Sequence, residues 1–426
     1  MATLNVSTTA SEWVGSQPTL WEEALWEVST RLSISDQLAG DERSGAAIVE
    51  KFDLTKKAGQ TITFTIVDPL IGEPVSGRTA QEGSEEDTNT TTASVTVTHY
   101  RHATATDELS QIIDVFGRQW QSKAAEMIGD WFARRKDDDW MDRTLNTDTI
   151  QTLYAGSATS RNNIQPGAYL LPHELRRLAT AAERRGAQPI KTFRTIKSMF
   201  PMYCALMSEI DYYNLVNDAN FRQDVRLAEV RGADNAAISG RVSMYQGLLI
   251  LRLSSVIAGT GFHGSYLRPE ARLRTALTAA ATTISIGPAT QKTGVDYGKY
   301  FSQTGSTQLL LVDAENISYT GAAATDPSST GWATVSRAAN GTTAATHSAG
   351  TLITQNNLGK VLVFGKNVTK RAWALKPRRI HQERDYGFEK GMGIQWIYGL
   401  LSTQWSDATV ANAVVLETYS TNPNTA

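Results

Sequence analysis

Residues 60–68 read QTITFTIVD and residues 93–102 read ASVTVTHYRH, two runs in which apolar residues alternate with small polar ones. Ile62, Phe64 and Ile66 share one face of the first run, and Val95 and Val97 share one face of the second. That period of two is the signature of strands. Between the runs lie Pro69, Gly72, Pro74, Gly77 and Gly83, and then the polar stretch EGSEEDTNTTT. Two amphipathic strands joined by a polar connection of about 25 residues predict a hairpin that projects beyond any core, because connections this long are functional or disordered.

Upstream, residues 1–45 read as an arm. Small polar residues come first, then TLWEEALWEVSTRLS, with Leu20, Ala24, Leu25 and Val28 at helical spacing and Trp21 and Trp26 beside them. Tryptophans on so short a segment predict docking onto this chain or a neighbour. Downstream, Asp107 is placed to open a helix over DELSQIIDVFGRQWQSKAAEMIGDWFARRKDDDW. Its apolar residues Leu109, Ile112, Ile113, Phe116, Trp120, Met127, Ile128, Trp131 and Phe132 recur at 3–4 spacing. Asp107 can cap the first turn and Glu108 suits the dipole there. At 1.5 Å per residue such a helix spans about 50 Å, the length of a spine.

Beyond a polar linker at Tyr154–Arg161, helices and short apolar strands alternate. Pro172 and Gly186 bracket a helix, MFPMYCALM reads as a buried strand, and Ser208 caps a short helix, EIDYYNLV. YQGLLILRLSSVIA reads as a further strand, and the alternation predicts a mixed sheet flanked by helices. From Thr275 to Asn356 charge nearly vanishes, and short strands (TTISI, TQLLLV, NISYT, WATVS) punctuate Gly, Ala, Thr and Ser. This predicts a compact β module. It reads as an insertion, because VLVFG resumes the interrupted sheet and WIYGLLSTQW and AVVLETYS supply the last strands. The segments are therefore 1–45, 46–105, 106–150, 151–274, 275–356 and 357–426.

Composition excludes several classes. Over 426 residues, 41% are hydrophobic and 20% charged, too apolar for a disordered chain. A net charge of -2 gives no strong pull toward nucleic acid or an acidic membrane. A single cysteine, Cys204, cannot form an internal disulfide, and its apolar setting predicts a buried, unreactive thiol. The N-terminal MATLNVSTTASEW has neither a basic start nor an apolar run, and no window is long enough to span a membrane. The chain is expected in the cytosol when made.

The sharpest enzyme signal is Gly259-Thr-Gly261-Phe-His-Gly264, a GxGxxG after an apolar strand, with ARLRTALTAAA following as a possible helix. A dinucleotide-binding turn needs that context. Against it stand Arg252, Ser254 and Ser255 in the strand and Pro269 in the helix position. The acid expected about 20 residues on, to hold a ribose, is also missing. His99 and His102, three apart on a strand, would face opposite sides, which disfavours a metal site. Asp137, Asp138 and Asp139, beside Arg134, Arg135 and Lys136, read as the solvated end of a helix. Six scattered histidines offer little for acid–base catalysis.

Arm, long hairpin, spine helix and αβ domain, in that order, resemble the Hong Kong 97-type capsid subunit of tailed bacteriophages: N-arm, E-loop, P-domain and A-domain. EGSEE (Glu82–Glu86), HYRHA (His99–Ala103), NDANFRQDVRLAEVRGADNA (Asn217–Ala236) and RDYGFEKGMGIQWIYGL (Arg384–Leu400) are similar to major capsid proteins of N-four-like podophages. ISYTG (Ile317–Gly321) and VSRAANGTTAATHSAGT (Val335–Thr351) look like a small module repeated across phage virion proteins. The resemblance implies an α+β fold with an all-β insertion and a non-enzymatic subunit without catalytic, cofactor or metal residues. It also implies hexamers and pentamers that assemble into an icosahedral head, touching double-stranded DNA only non-specifically. Scaffolding, portal or decoration proteins are possible partners, and a membrane is not. In this fold class a hairpin lysine can be joined to an asparagine of the next subunit. The alternatives are another virion component, of tail or decoration type, and a soluble dinucleotide-binding enzyme using Gly259–Gly264.

Overall fold

The computed structural model describes residues 33–52, 60–67, 70, 72–77, 82, 85–88, 90–107, 120–145, 150–190, 202–228, 244–245, 247–253, 256–257, 262–263, 266–287, 300–301, 308–319, 333–384, 388–403 and 412–420. The helix expected near Trp21–Val28 lies outside them. In chain order the strands are β1 (Ala39–Gly40), β2 (Ile48–Lys51), β3 (Thr61–Val67), β4 (Thr90–Thr96), β5 (Thr98–Asp107), β6 (Gln151–Tyr154), β7 (Tyr203–Ser208), β8 (Met244–Tyr245), β9 (Leu248–Leu253), β10 (Val256–Ile257) and β11 (Phe262–His263). They continue with β12 (Glu270–Arg272), β13 (Thr283–Ile284), β14 (Gln308–Val312), β15 (Glu315–Tyr319), β16 (Ala333–Ser336), β17 (Leu352–Thr354), β18 (Leu358–Phe364), β19 (Thr369–Arg384), β20 (Glu389–Ser402) and β21 (Ala413–Tyr419). Two compact units divide the chain, residues 1–147 with 366–410 and residues 148–365 with 411–426.

The first unit is built on a sheet of order β1-β2-β19-β20-β5. Along β20, Met392, Ile394, Trp396 and Tyr398 recur at every second position and are all buried on one face. A helix, Trp120–Leu145, packs there through Ala124, Ile128 and Phe132. Their spacing of four keeps one stripe toward the sheet. Phe132 meets the Trp396 ring edge-on at 4.8 Å, and Tyr100 stacks on the same ring at 5.6 Å. The β19–β20 register slips between Trp373 and Arg378. Pro377 lies there, where it has no N–H to donate to a ladder.

The expected hairpin forms, with β3 and β4 paired from Thr61↔Thr96 to Val67↔Thr90. The second run does not stay one strand. Val97 donates its N–H to the Gln60 carbonyl at 2.9 Å, and the chain then enters the five-stranded sheet as β5. Asp107 closes β5 opposite Glu389, and the residues it was expected to cap, from Glu108 on, lie outside the described set. Pairing with long β20 carries the HATATD sequence onward as strand as far as Asp107. The described helix begins at Trp120, and residues 108–119 lie outside the described set.

The second unit contains two six-stranded sheets. One has the order β6-β21-β18-β7-β9-β8 and is mixed, with parallel β6/β21 and β7/β9 pairs. Pro172–Arg184 packs on it through buried Leu175, Leu178 and Ala182, with Pro172 in its first turn and Gly186 just past its end at φ +73°. Ser208 caps Glu209–Asn217, accepting from the Asp211 N–H at 3.1 Å. The other sheet, β12-β17-β14-β15-β16-β13, is antiparallel throughout. Five of its strands fall within 275–356, and β12 lies just upstream. VLVFG returns as β18, between β21 and β7.

Candidate functional site

The root of the β3–β4 hairpin is fixed by Ile62, Phe64 and Val95, which bury against Val49 and Ala372 of the large sheet. Ammonium groups of Lys51 and Lys370 lie over the Phe64 ring at 4.8 and 5.1 Å. Gly399 is required beneath this root, since a Cβ there would collide with the Thr96 carbonyl and the Val95 side chain. On the opposite face of the hairpin, Thr61, Thr63 and Thr65 are exposed. In the connection, Leu70 is 64% exposed, and the Glu86 carboxylate accepts from the Gly72 N–H at 2.6 Å. Glu82, Glu85, Glu86 and Asp87 all lie at the surface.

The enzyme signals do not converge. The segments flanking Gly259 and Gly261 form a two-stranded ribbon, β10 with β11, and the chain then enters β12. The helix that would present its N-terminus to a pyrophosphate is therefore replaced by strand, which removes the premise of a dinucleotide site. His102 stacks on Trp131 at 4.0 Å. Among the described residues, no group of three or more His, Cys, Asp or Glu is placed to hold a metal ion. Cys204 lies buried in β7, where burial pushes its thiol up to about 12. Such a thiol is a poor nucleophile.

The Asp137–Asp139 run departs from its expected solvated end. The helix continues to Leu145, and Lys136 and Asp137 are 1% and 8% exposed. Asp137 accepts from Ser33 Oγ at 2.7 Å and from the N–H groups of Ile34 and Ser35 at 3.0 and 2.9 Å. Burial pushes its carboxyl above the ordinary value, against the pull of those donors. Lys136 pairs with Asp36, which also accepts from Arg371 at 2.6 Å, and Arg371 donates to Glu50 at 2.6 Å. This network clamps residues 33–37 to the helix and to β2 and β19. Its sequence signal was present: Lys136 and Trp140 continue the stripe Ala124, Ile128, Phe132 at steps of four. A charged residue on an apolar stripe is buried and paired, not solvated.

A second cluster explains the VSRAANGTTAATHSAGT sequence. Glu315, 3% exposed, accepts from Arg337 at 2.6 and 2.8 Å and from the N–H groups of Ala338 and Ala345 at 3.1 and 3.0 Å. His347 bridges Glu315 and Asp313 at 2.9 and 2.7 Å. Burial raises the Glu315 carboxyl, but Arg337 and the other donors outweigh it and hold the group at about 2. One carboxylate thereby organises the loop from Arg337 to His347. Its left-handed positions are Ala338, Asn340 and Gly341. The role is structural.

A family model described as phage capsid protein matches residues 15–169. No curated protein gives a significant match. Among solved structures, the capsid of Ralstonia phage GP4 is similar at a TM-score of 0.58 and 15% identity, over 92% of this chain and 91% of that one. The cyanophage Pam1 capsid asymmetric unit is similar at 0.58 and 13% identity, over 92% and 94%. This chain has the phage capsid fold. A third likeness, to the acid-stable capsid of Helicobacter pylori bacteriophage KHP30, has a TM-score of 0.55 and 13% identity over 91% of both chains. The arrangement is of the Hong Kong 97 type. The family match, over residues 15–169, and the fold likeness, over about nine tenths of the chain, both point to phage capsid proteins.

Proposed function

We propose that this capsid protein is the major subunit of an icosahedral head, assembling with copies of itself as hexamers and pentamers around double-stranded DNA. One observation carries the reading: the likeness to capsid subunits extends over about nine tenths of both chains. Weak contacts repeated around a closed symmetric shell become collectively strong, so no single interface needs high affinity. A net charge of -2 suits a wall that confines DNA without gripping it. Assembly begins from subunits in the host cytoplasm, with scaffolding, portal or decoration proteins as further partners. Among the described residues no helix is long and apolar enough to cross a membrane.

Electron microscopy of the expressed full chain tests this. Closed shells or capsomers are expected; tubes or twelve-fold rings would move the chain to a tail or portal role.

A further inference from the structure

Where the turn Arg161–Asn163 faces β14 and β15, the second unit holds a cleft of about 730 Å³. That lies within the roughly 300–1,000 Å³ of small-molecule sites. Six amide side chains line it: Asn162, Asn163, Gln165, Asn316, Asn340 and Asn356. Leu309, Leu311 and the Tyr419 ring add apolar surface. No charged side chain lines the cleft among the described residues. One amide oxygen, Asn316 Oδ1, is buried with no hydrogen-bond partner among the described residues. Native interiors leave few acceptors unpaired, so this one marks a place for a donor that the chain does not supply.

The walls are held in place without a ligand. Arg161 donates through Nε to both Glu417 oxygens, at 2.9 and 3.0 Å, and so pins the turn to β21. Across from it, Leu309 pairs with Ser318 and Leu311 with Asn316, which sets all four on one face of the β14–β15 ladder. The Tyr419 hydroxyl accepts from Asn357 Nδ2 at 3.1 Å, which fixes that ring. Asn340 and Asn356 hold left-handed backbone, at φ +51° and +48°. Glycine would serve such positions as well, but only asparagine brings an amide to the cleft there. A site built this way gives up little freedom on binding.

The lining selects the chemistry of the ligand. A phosphate or carboxylate group seeks cations, which the lining lacks. A wholly apolar molecule would strip water from the amides and leave them unpaired. An amide offers two donors and an acceptor, and a hydroxyl both donates and accepts, so neighbouring hydroxyls match neighbouring amides. A sugar ring carries such hydroxyls on its rim and C–H groups on its faces, which suit the Tyr419 and leucine surface. We propose that this cleft binds a neutral oligosaccharide, with one hydroxyl donating to Asn316 Oδ1. Every residue involved belongs to the second unit, so the site is independent of the capsid reading.

Saturation-transfer NMR titrations of the full-length chain test it, with maltotriose, cellotriose, mannotriose and chitotriose as neutral probes. Trigalacturonate and an uncharged serine- and asparagine-rich hexapeptide are the controls. At least one neutral probe should bind with a Kd of about 1 mM or tighter, and both controls at least about tenfold more weakly. Asn316→Leu should weaken that binding about tenfold or more, since the lost hydrogen bond forms only with the ligand. The thermal midpoint of this variant should hold or rise, because the oxygen removed has no partner in the free chain; a purely structural asparagine would lower it. Asn340→Gly with Asn356→Gly keeps the left-handed backbone, deletes two amides and should also weaken binding. If Asn316→Leu fails to fold, this glycine pair decides alone. Binding by none of the four probes would overturn the proposal, as would unchanged affinity in the folded variants. Equal affinity for trigalacturonate would overturn the neutral assignment, and equal affinity for the hexapeptide would give the cleft to a polypeptide.

Discussion

Asp137 and Lys360 are buried ionisable groups with opposite consequences. Asp137 satisfies three donors from residues 33–35, so Asp137→Ala leaves Ser33 Oγ and two backbone N–H groups without this acceptor in the interior. A loss of about 3–5 kcal/mol is expected, with early proteolysis ahead of residue 48, because breaking a buried charged network costs more than the network contributes. An unchanged thermal midpoint would show that residues 33–37 are held by something else. Lys360 in β18 is lowered from its ordinary 10.5 to about 8, first by burial and then by the Arg161 guanidinium. Below pH 8 both folded and unfolded chains carry the charge, and the fold bears its burial. Between pH 8 and 10.5 the folded chain sheds the proton first, so this penalty relaxes as pH rises. Lys360→Met should therefore stabilise the protein by about 1–3 kcal/mol at pH 7, with the gain shrinking toward pH 10.5. Calorimetry at both pH values checks it, and a variant less stable at pH 7 would refute it. Neither residue was legible as buried from composition. Asp137 could have been found by extending the helical stripe past Phe132, whereas nothing in GKVLVFG marks Lys360 as inward, since a central strand is buried on both faces.

The hairpin was the most legible element, because two alternating runs and a polar connection leave few other arrangements. Its far boundary was not: Val97 divides the second run between two sheets, and pairing with β20 carries the strand on as far as Asp107. The Gly259 turn misled for a related reason, since a strand followed by glycines is common to many connections and only the following element decides its use. The hairpin also makes a chemical prediction. Between Gln60 and Tyr100 the only lysine or arginine is Arg78, and a guanidinium stays protonated and is a poor nucleophile. Lys56 and Lys57 precede Thr61, where the pairing of β3 begins, and so stand on the root side of the hairpin in sequence. Mature particles boiled in detergent should therefore run as a single band near 46.5 kDa. A ladder of multimers containing a Lys–Asn linked peptide would disprove it.

At the scale of the molecule, the antiparallel sheet from β12 to β17 leaves and rejoins the mixed sheet's neighbourhood at nearby points, with the Lys360 N–H donating to the Leu267 carbonyl at 2.7 Å. We propose that it is a separable module. Replacing residues 270–355 with a short Gly/Ser linker should leave a soluble chain that still forms capsomers, and wholly insoluble product would show the sheet to be integral. The order in which the first unit is made has a further consequence. Its central strands β19 and β20 are encoded after residue 365, while the hairpin and long helix they complete are encoded before residue 147. At about 5–20 residues per second, a ribosome takes roughly 10–40 s to supply those partners. Throughout that interval Phe64, Ile128 and Phe132 lack the surface that buries them, so the hairpin root cannot reach its final form on a nascent chain. A chain ending at Gly365 should accordingly leave residues 33–145 sensitive to protease, and protection there would show that the early elements fold unaided. Vectorial synthesis thus acts as a timer, since the first unit cannot close until β19 and β20 have been made.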